Sequence, residues 1–459
     1  MTLIKSISGI RGTIGGLPKQ NMTPLDVVIY TTAYAQLLKL KHKNTLTVVT
    51  GRDARISGPM IHSLVNQTLV GMGVNVIDLS LSTTPTVAVA VTMQKADGGI
   101  IITASHNPKE WNALKLLNSD GEFINFEEGR KILDFVEFEN PQYSKTEFLG
   151  KIIREENYID KHIESALNLK YINIEGIKKS NFKVVVDGVN STGGIAIPKL
   201  LRELNVKVIE LNCIPNGLFS HNPEPIKENL NEICNAVKQN QADLGIAVDP
   251  DVDRLVFVDE NGVLFGEEYT LVACADFILS KEKGSTVSNL SSTRALADIT
   301  KKHGCTHSYS AVGELNVVLE MKKYKAIIGG EGNGGVILPE SHYGRDAIVG
   351  TLLFLSLLAE RQISVSELKA TYPNYYMNKD KIALDDNLDL DKILKRIALK
   401  YKNEKLNIED GLKIDFNEKW VHLRKSNTES IIRICTEAKT KKLADELSAN
   451  FINNIRELT

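Results

Sequence analysis

Cysteine, long apolar runs and an excess of either charge are all scarce in this chain of 459 residues. There are five cysteines: Cys213, Cys234, Cys274, Cys305 and Cys435. The count is odd, and no pair has the close spacing of a metal site. This excludes a disulfide-framed secreted scaffold and points to reduced thiols in a cytoplasmic protein. The longest apolar run, Ala347 to Ala359 (AIVGTLLFLSLLA), falls short of the about 20 residues that a membrane span requires. It is expected to be a buried helix, and no membrane partner is expected. The opening MTLIKSISGIRG has no apolar stretch of signal-peptide length. Formal net charge is -2, so the basic surplus of a nucleic-acid binder is also missing. A local basic pocket for a small anion stays open.

What is present suits several apolar cores: 42% of residues are hydrophobic and 24% charged. At roughly 150 residues per domain, length alone suggests about three domains. Short β-branched runs alternate with longer amphipathic stretches. The runs Thr45–Thr50, Gly99–Thr103, Lys183–Val186, Leu244–Val248, Leu255–Val258 and Ala326–Ile328 predict strands. Helices are predicted over Pro24–Lys41, Asn229–Gln241 and Lys441–Leu458. In the last, Leu443, Leu447, Phe451, Ile455 and Leu458 share one face. Such alternation argues for α/β layers with largely parallel pairing. Several strands run into polar loops (TGRD, TASHNP, VDGVNSTGG, VDPDVDR, GGEGNGG), and ligands of α/β sheets bind beyond the carboxyl ends of strands. The recurrence hints at duplicated units, although no segment repeats closely. Boundaries are suggested near Lys151 and within Ile363–Tyr372.

Four loops carry the chemistry. In Thr103-Ala104-Ser105-His106-Asn107-Pro108 a serine follows a buried strand on a turn stiffened by proline. Such a serine caps a helix as readily as it reacts, and the G-x-S-x-G elbow of hydrolases is absent. In Asp249-Pro250-Asp251-Val252-Asp253-Arg254 alternating carboxylates can turn three oxygens toward one hard cation, and Mg²⁺ takes such ligands. An EF-hand is rejected because Arg254 stands where that loop needs glycine. The run Gly329-Gly330-Glu331-Gly332-Asn333-Gly334-Gly335 lets backbone approach a ligand, and its carboxylate and amide suit sugar hydroxyls. It is no Walker loop, since no Gly-Lys-Ser/Thr follows. Arg424-Lys425-Ser426-Asn427-Thr428-Glu429-Ser430-Ile431-Ile432-Arg433 offers the hydroxyls and guanidinium forks that a phosphate dianion needs, or else is an exposed basic turn.

Taken in order, these loops resemble those of the α-D-phosphohexomutases, the family of phosphoglucomutases, phosphomannomutases and phosphoglucosamine mutases. Gly9-Ile10-Arg11-Gly12, Gly51-Arg52-Asp53-Ala54-Arg55-Ile56-Ser57, Asn112 and Lys115 extend the similarity over the full length. The resemblance implies three related α/β units with mixed sheets between helices and a C-terminal TATA-binding-protein-like α+β domain, around a central cleft. The expected boundaries are 1–150, 151–254, 255–366 and 367–459. It implies that Ser105 carries a phosphoryl group beside His106, and that Ser105, Asp249, Asp251 and Asp253 bind Mg²⁺. Arg254, Lys115 and Arg11 would balance charge. Glu331 and Asn333 would hold the sugar, and Arg424, Ser426, Asn427, Thr428 and Arg433 its non-reacting phosphate. The expected activity interconverts hexose 6- and 1-phosphates through a sugar 1,6-bisphosphate, in a cytoplasmic monomer or homodimer.

The sequence departs from the commoner form in several places, among them Asn427 where glycine is frequent and Ser430 where proline is frequent. The sugar loop of similar chains often contains Ser and closes on His; here those positions are Asn333 and Gly335. This form is similar to that of archaeal-type and some bacterial phosphoglucosamine mutases, which makes glucosamine phosphate the expected substrate. A phosphomannomutase or phosphoglucomutase, a metal-dependent sugar phosphatase and a non-catalytic sugar-phosphate binder remain as alternatives.

Overall fold

The computed structural model describes residues 2–6, 9–41, 45–138, 140–383, 390–425 and 431–458. The first sheet has seven strands. Their order is Ile4–Ser6, Gly9–Thr13, Trp111–Leu117, Gly98–Ile102, Thr47–Arg52, Asn75–Leu81 and Ile152–Arg154. The second runs Leu255–Asp259, Leu244–Val248, Lys183–Asp187, Lys207–Leu211. The third runs Gly335–Ile337, Ile328–Glu331, Thr286–Asn289, His307–Ser310. The last is an antiparallel five-stranded sheet: Tyr376–Ala383, Ile431–Ala438, Lys419–Lys425, Leu412–Asp415, Lys405–Asn407.

One four-strand pattern recurs in the first three sheets. In each, the unit's first strand pairs parallel with its second and third, and the third pairs antiparallel with its fourth. The turn from third to fourth strand spans residues 103–110 in the first unit, 249–254 in the second and 332–334 in the third. These are the Ser105 loop, the aspartate loop and most of the glycine-rich loop. The duplication hinted at by the sequence is therefore a triplication of topology.

Local chemistry explains the elements. Pro24–Lys41 begins after Thr23, whose backbone N–H donates to Asp26 while the Asp26 N–H donates back to its hydroxyl. Ala347–Arg361, the long apolar run, is a buried helix capped by Asp346. Lys441–Leu458 buries Leu447, Phe451 and Ile455, whereas Leu443 is 44% exposed beyond the end of the shared face. The expected strand Ala326–Ile328 lies further along, at Ile328–Glu331, because Gly329 and Gly330 pair with Ile337 and Val336 in a hairpin.

Two sheet edges bear on the expected boundaries. Ile152–Arg154 pairs with Asn75–Leu81, so the first sheet passes residue 150. Val248 pairs with Leu255 across the aspartate loop, so the division after Arg254 falls inside a hairpin and the second sheet continues to Asp259. The second and third units share one apolar core, from Ile159 to Tyr372. The last unit has a separate core built from Leu390, Ile393, Leu412, Val421, Ile432, Ile434, Leu447 and Phe451, among others.

Candidate active site

Ser105 stands just beyond Gly98–Ile102 with φ of 50°, a left-handed conformation that a non-glycine residue adopts only when its surroundings hold it there. Arg55 supplies much of the hold. Its guanidinium donates to the carbonyls of Ser105 (2.5 Å), Asn107 (2.6 Å), Pro108 (2.7 Å) and Trp111 (3.0 Å). Asp53 bridges this arginine to Thr103, whose hydroxyl accepts the Ser105 N–H. The serine hydroxyl is 3% exposed as part of its residue and donates to Asp249 Oδ2 at 2.6 Å.

The aspartate loop is equally constrained. Val252 sits at φ of 64° and is fully buried, with its N–H on the Asp249 carbonyl and its carbonyl on the Ala347 N–H. Asp249 Oδ1 accepts the N–H groups of Asp253 and Arg254. The Thr84 hydroxyl donates to Asp251 Oδ2 at 2.5 Å, and Ser191 and Thr192 hold the Pro250 carbonyl. Asp249, Asp251 and Asp253 are wholly buried, and one oxygen of each lies within 4.8 Å of the others. Asp251 Oδ1 and Asp253 Oδ1 are buried with no hydrogen-bond partner. Two unsatisfied anionic oxygens beside a third are costly without a cation, so the donor set fits a hard divalent ion. Burial and the neighbouring Asp251 and Asp253 push the Asp249 carboxyl well above its ordinary value. Burial also raises Asp253, but Arg345, Lys115 and Arg254 outweigh it and hold that carboxyl low.

Cations ring the loop. Lys115 Nζ lies 2.6 Å from Asp251 and 3.2 Å from Asp253. Burial disfavours its charge, but the two aspartates more than compensate and raise its pKa. Arg254 contacts Glu224 at 3.3 Å and His106 Nε2 at 3.4 Å, and its own Nε is buried without a partner. His106 Nδ1 lies 3.4 Å from the Ser105 hydroxyl. Burial, with Arg254 and Arg11 nearby, holds this imidazole well below its usual pKa, so it stays neutral at pH 7. Arg11 donates to the Asn107 side chain at 2.8 Å.

The sugar-loop residues join the same cluster through an arginine that the sequence reading did not single out. Arg345 contacts Asp253 (2.8 Å), Glu314 (2.7 Å) and Glu331 (3.1 Å). Glu331 also accepts from Asn289 and the Gly313 N–H. Asn333 donates to Glu331 at 3.4 Å and accepts the Gly335 N–H. Arg55 lay within a recognised motif but had no assigned role, and Arg345 follows a glycine in Gly344-Arg345-Asp346, a faint signal by itself.

In the last unit Arg424 pairs with Asp410 at 3.2 Å, and Asp410 accepts the Val312 N–H from the third unit. Arg424 and Arg433 are direct cross-strand partners on adjacent strands. Arg424 is buried and Arg433 exposed. Ser426, Asn427 and Thr428 lie outside the described residues.

A second cluster, His162, His342 and Asp346, knits the first three units together. Both imidazoles meet Asp346 Oδ2 (3.0 and 3.2 Å), and Thr86 meets His162 Nδ1. Asp346 Oδ1 caps the following helix, so the carboxylate is fully engaged in structure.

Four family models match the chain in order. Phosphoglucomutase/phosphomannomutase alpha/beta/alpha domain I covers residues 3–142, domain II 156–262, domain III 266–375 and the C-terminal domain 379–454. A phosphoglucomutase/phosphomannomutase of Thermococcus kodakarensis is 37% identical over 95% of this chain and 96% of its own. A phosphoglucosamine/phosphogalactosamine mutase of Sulfurisphaera tokodaii is 32% identical over 98% and 97%. In fold, a phosphoglucomutase/phosphomannomutase family protein of Burkholderia thailandensis superposes with a TM-score of 0.84 over 98% and 96%, at 22% identity.

Proposed function

The chain belongs to the phosphoglucomutase/phosphomannomutase family and is a phosphohexomutase, and from that premise we propose that it converts glucosamine 6-phosphate to glucosamine 1-phosphate through a phosphorylated Ser105. The observation that carries the mechanism is the Ser105 hydroxyl, donating at 2.6 Å to the first of three buried aspartates. Asp249, Asp251 and Asp253, with the phosphoserine, would hold Mg²⁺, which supplies Lewis-acid stabilisation of phosphoryl oxygens when bound.

The chain's own residues account for the rest. Arg55 and Asp53 fix the loop, so Ser105 presents its oxygen without reorganisation. Phosphoserine brings a charge of about -1.5 to -2 beside three carboxylates, and Lys115, Arg254 and Arg11 offset it. The phosphoryl group passes to one sugar oxygen, giving a 1,6-bisphosphate; after that turns over, the other phosphate returns to Ser105. Water must be kept from the transferring group while the bisphosphate turns over, which separates a mutase from a phosphatase. Arg424 and Arg433 would take the idle phosphate. Their direct cross-strand pairing brings both guanidinium groups to one face of the sheet, beside Asp410. The Asn333–Gly335 form of the sugar loop supports glucosamine. The Thermococcus relative's name favours glucose and mannose phosphates as a second reading. Unpaired cysteines fit a cytoplasmic enzyme.

A panel of sugar 1- and 6-phosphates followed by phosphorus NMR tests both parts. Glucosamine 6-phosphate should show the highest kcat/KM, and intact mass should place a labile phosphate on Ser105. Ser105→Ala should bind sugar phosphate yet lose nearly all isomerisation. Preference for mannose 1-phosphate would move the substrate assignment. Free phosphate as the main product, or near-wild-type turnover in Ser105→Ala, would overturn the mechanism.

A further inference from the structure

The glycine that closes the sugar loop has its side-chain space filled from elsewhere. A Cβ on Gly335 would overlap Cδ of Arg345. The arginine cannot easily withdraw, because Asp346 beside it caps a buried helix and is gripped by two histidines. Its three guanidinium nitrogens are committed to three carboxylates from separate segments: Asp253, Glu314 and Glu331. Asp253 belongs to the aspartate loop and keeps its other oxygen unpartnered. Glu331 ends the strand that enters the sugar loop. A second tie runs alongside, from the Leu255 N–H to the Gly334 carbonyl at 3.1 Å.

We propose that Arg345 is a positioning residue that fixes the sugar loop against the aspartate loop, and that Gly335 and Arg345 form one exclusive unit in place of a histidine-closed loop. The proposal rests on the mutase reading. A planar fork can hold two carboxylates at a set separation, whereas an ammonium is a point charge on a flexible stem. The fork thus sets the offset between the residue that grips the sugar and the residues that face the phosphoserine. Phosphoryl transfer depends on that offset, since the receiving oxygen must lie in line.

Kinetics of the wild type, Arg345→Ala, Arg345→Lys, Gly335→His and the double variant Gly335→His/Arg345→Ala test it, with thermal unfolding and Ser105 phosphorylation measured on each. Arg345→Ala should lower kcat on the order of a hundredfold, the scale of about 1 Å of misplacement, while KM moves far less. Arg345→Lys should recover about a tenth of the wild-type rate, because charge returns without the fork. Gly335→His should cost on the order of a hundredfold in the wild-type background and less than about threefold beside Arg345→Ala. Additive losses, or a folded Arg345→Ala with wild-type kcat, overturn the proposal. If Arg345→Ala does not fold, an unimpaired Gly335→His overturns it equally. A wild type that isomerises no sugar phosphate overturns the mutase reading and this inference with it.

Discussion

The aspartate loop and the seam between the third and last units are held together in opposite ways. Around Asp249–Arg254 every carboxylate is buried, a β-branched residue is locked left-handed, and backbone ties reach Thr84 in the first unit and Ala347 and Gly334 in the third. At the seam the named ties between units are polar. Ser291 meets His422, Arg294 meets Asp415, Lys413 reaches the Leu290 carbonyl, and Lys379 pairs with Glu267 and Glu268. Among the described residues, the apolar core that joins the second and third units does not continue into the last one. Several of these polar partners are themselves buried, Lys413, His422 and Glu268 among them, so the seam depends on specific pairing where the other boundary depends on packed apolar area. The aspartate loop is thus set by burial and by backbone ties to two neighbouring units, and the last unit is set against the third by a few directional polar contacts.

The strongest test of the rigid side is Asp251→Asn. An amide is a poorer ligand for a hard cation and leaves Lys115 without its closest partner. Turnover should fall on the order of a thousandfold, the worth of several kcal/mol of charge stabilisation, while circular dichroism shows the fold retained. Excess chelator should silence the wild type and magnesium restore it; activity that survives chelation would remove the cation from this loop.

On the seam side, Arg424→Ala should raise KM about ten- to hundredfold, the value of about 1.5–3 kcal/mol for a charged contact, and leave Ser105 phosphorylation unchanged. An unaltered KM would show that the idle phosphate binds elsewhere. The smallest effect sharpens the seam itself. Burial pushes the Glu268 carboxyl up to about 7, despite Lys379 beside it. The folded protein therefore keeps a proton that the unfolded chain releases near pH 4.5, so stability falls as pH rises from about 4.5 to 7. Glu268→Gln should flatten that segment of the Tm profile. An unchanged slope would assign the pH dependence to another group.

Much of this was legible because buried parallel strands are β-branched runs that stop abruptly at polar turns. The helices expected at Pro24–Lys41 and Lys441–Leu458, the latter from its periodicity, are found with those bounds. The helix expected at Asn229–Gln241 is shorter, Asn231–Gln239, since Lys227–Asn229 forms a 3₁₀ turn before it. The glycines Gly329 and Gly330 read as loop but lie in a strand, because a hairpin partner supplies their hydrogen bonds. The sequence reading could place four loops in one cleft only by resemblance. It could not find Arg345, whose partners Asp253, Glu314 and Glu331 are set by topology rather than spacing. The three related units were likewise expected from resemblance alone, since they share strand order without a sequence repeat that composition or periodicity reveals.

That repeated strand order bears on how such an enzyme could arise and be rebuilt. Ser105 and the three aspartates occupy the same address in two copies of one plan, the turn between third and fourth strands, and Glu331 sits at the strand end that opens the third such turn. Copies of an ancestral unit would have needed only divergence at one short hairpin each to divide the labour, with their cores left intact. A designer inherits the same economy: new substrates could be sought by recombining three short peptides on an unchanged frame, with the Gly335–Arg345 couple carried across together.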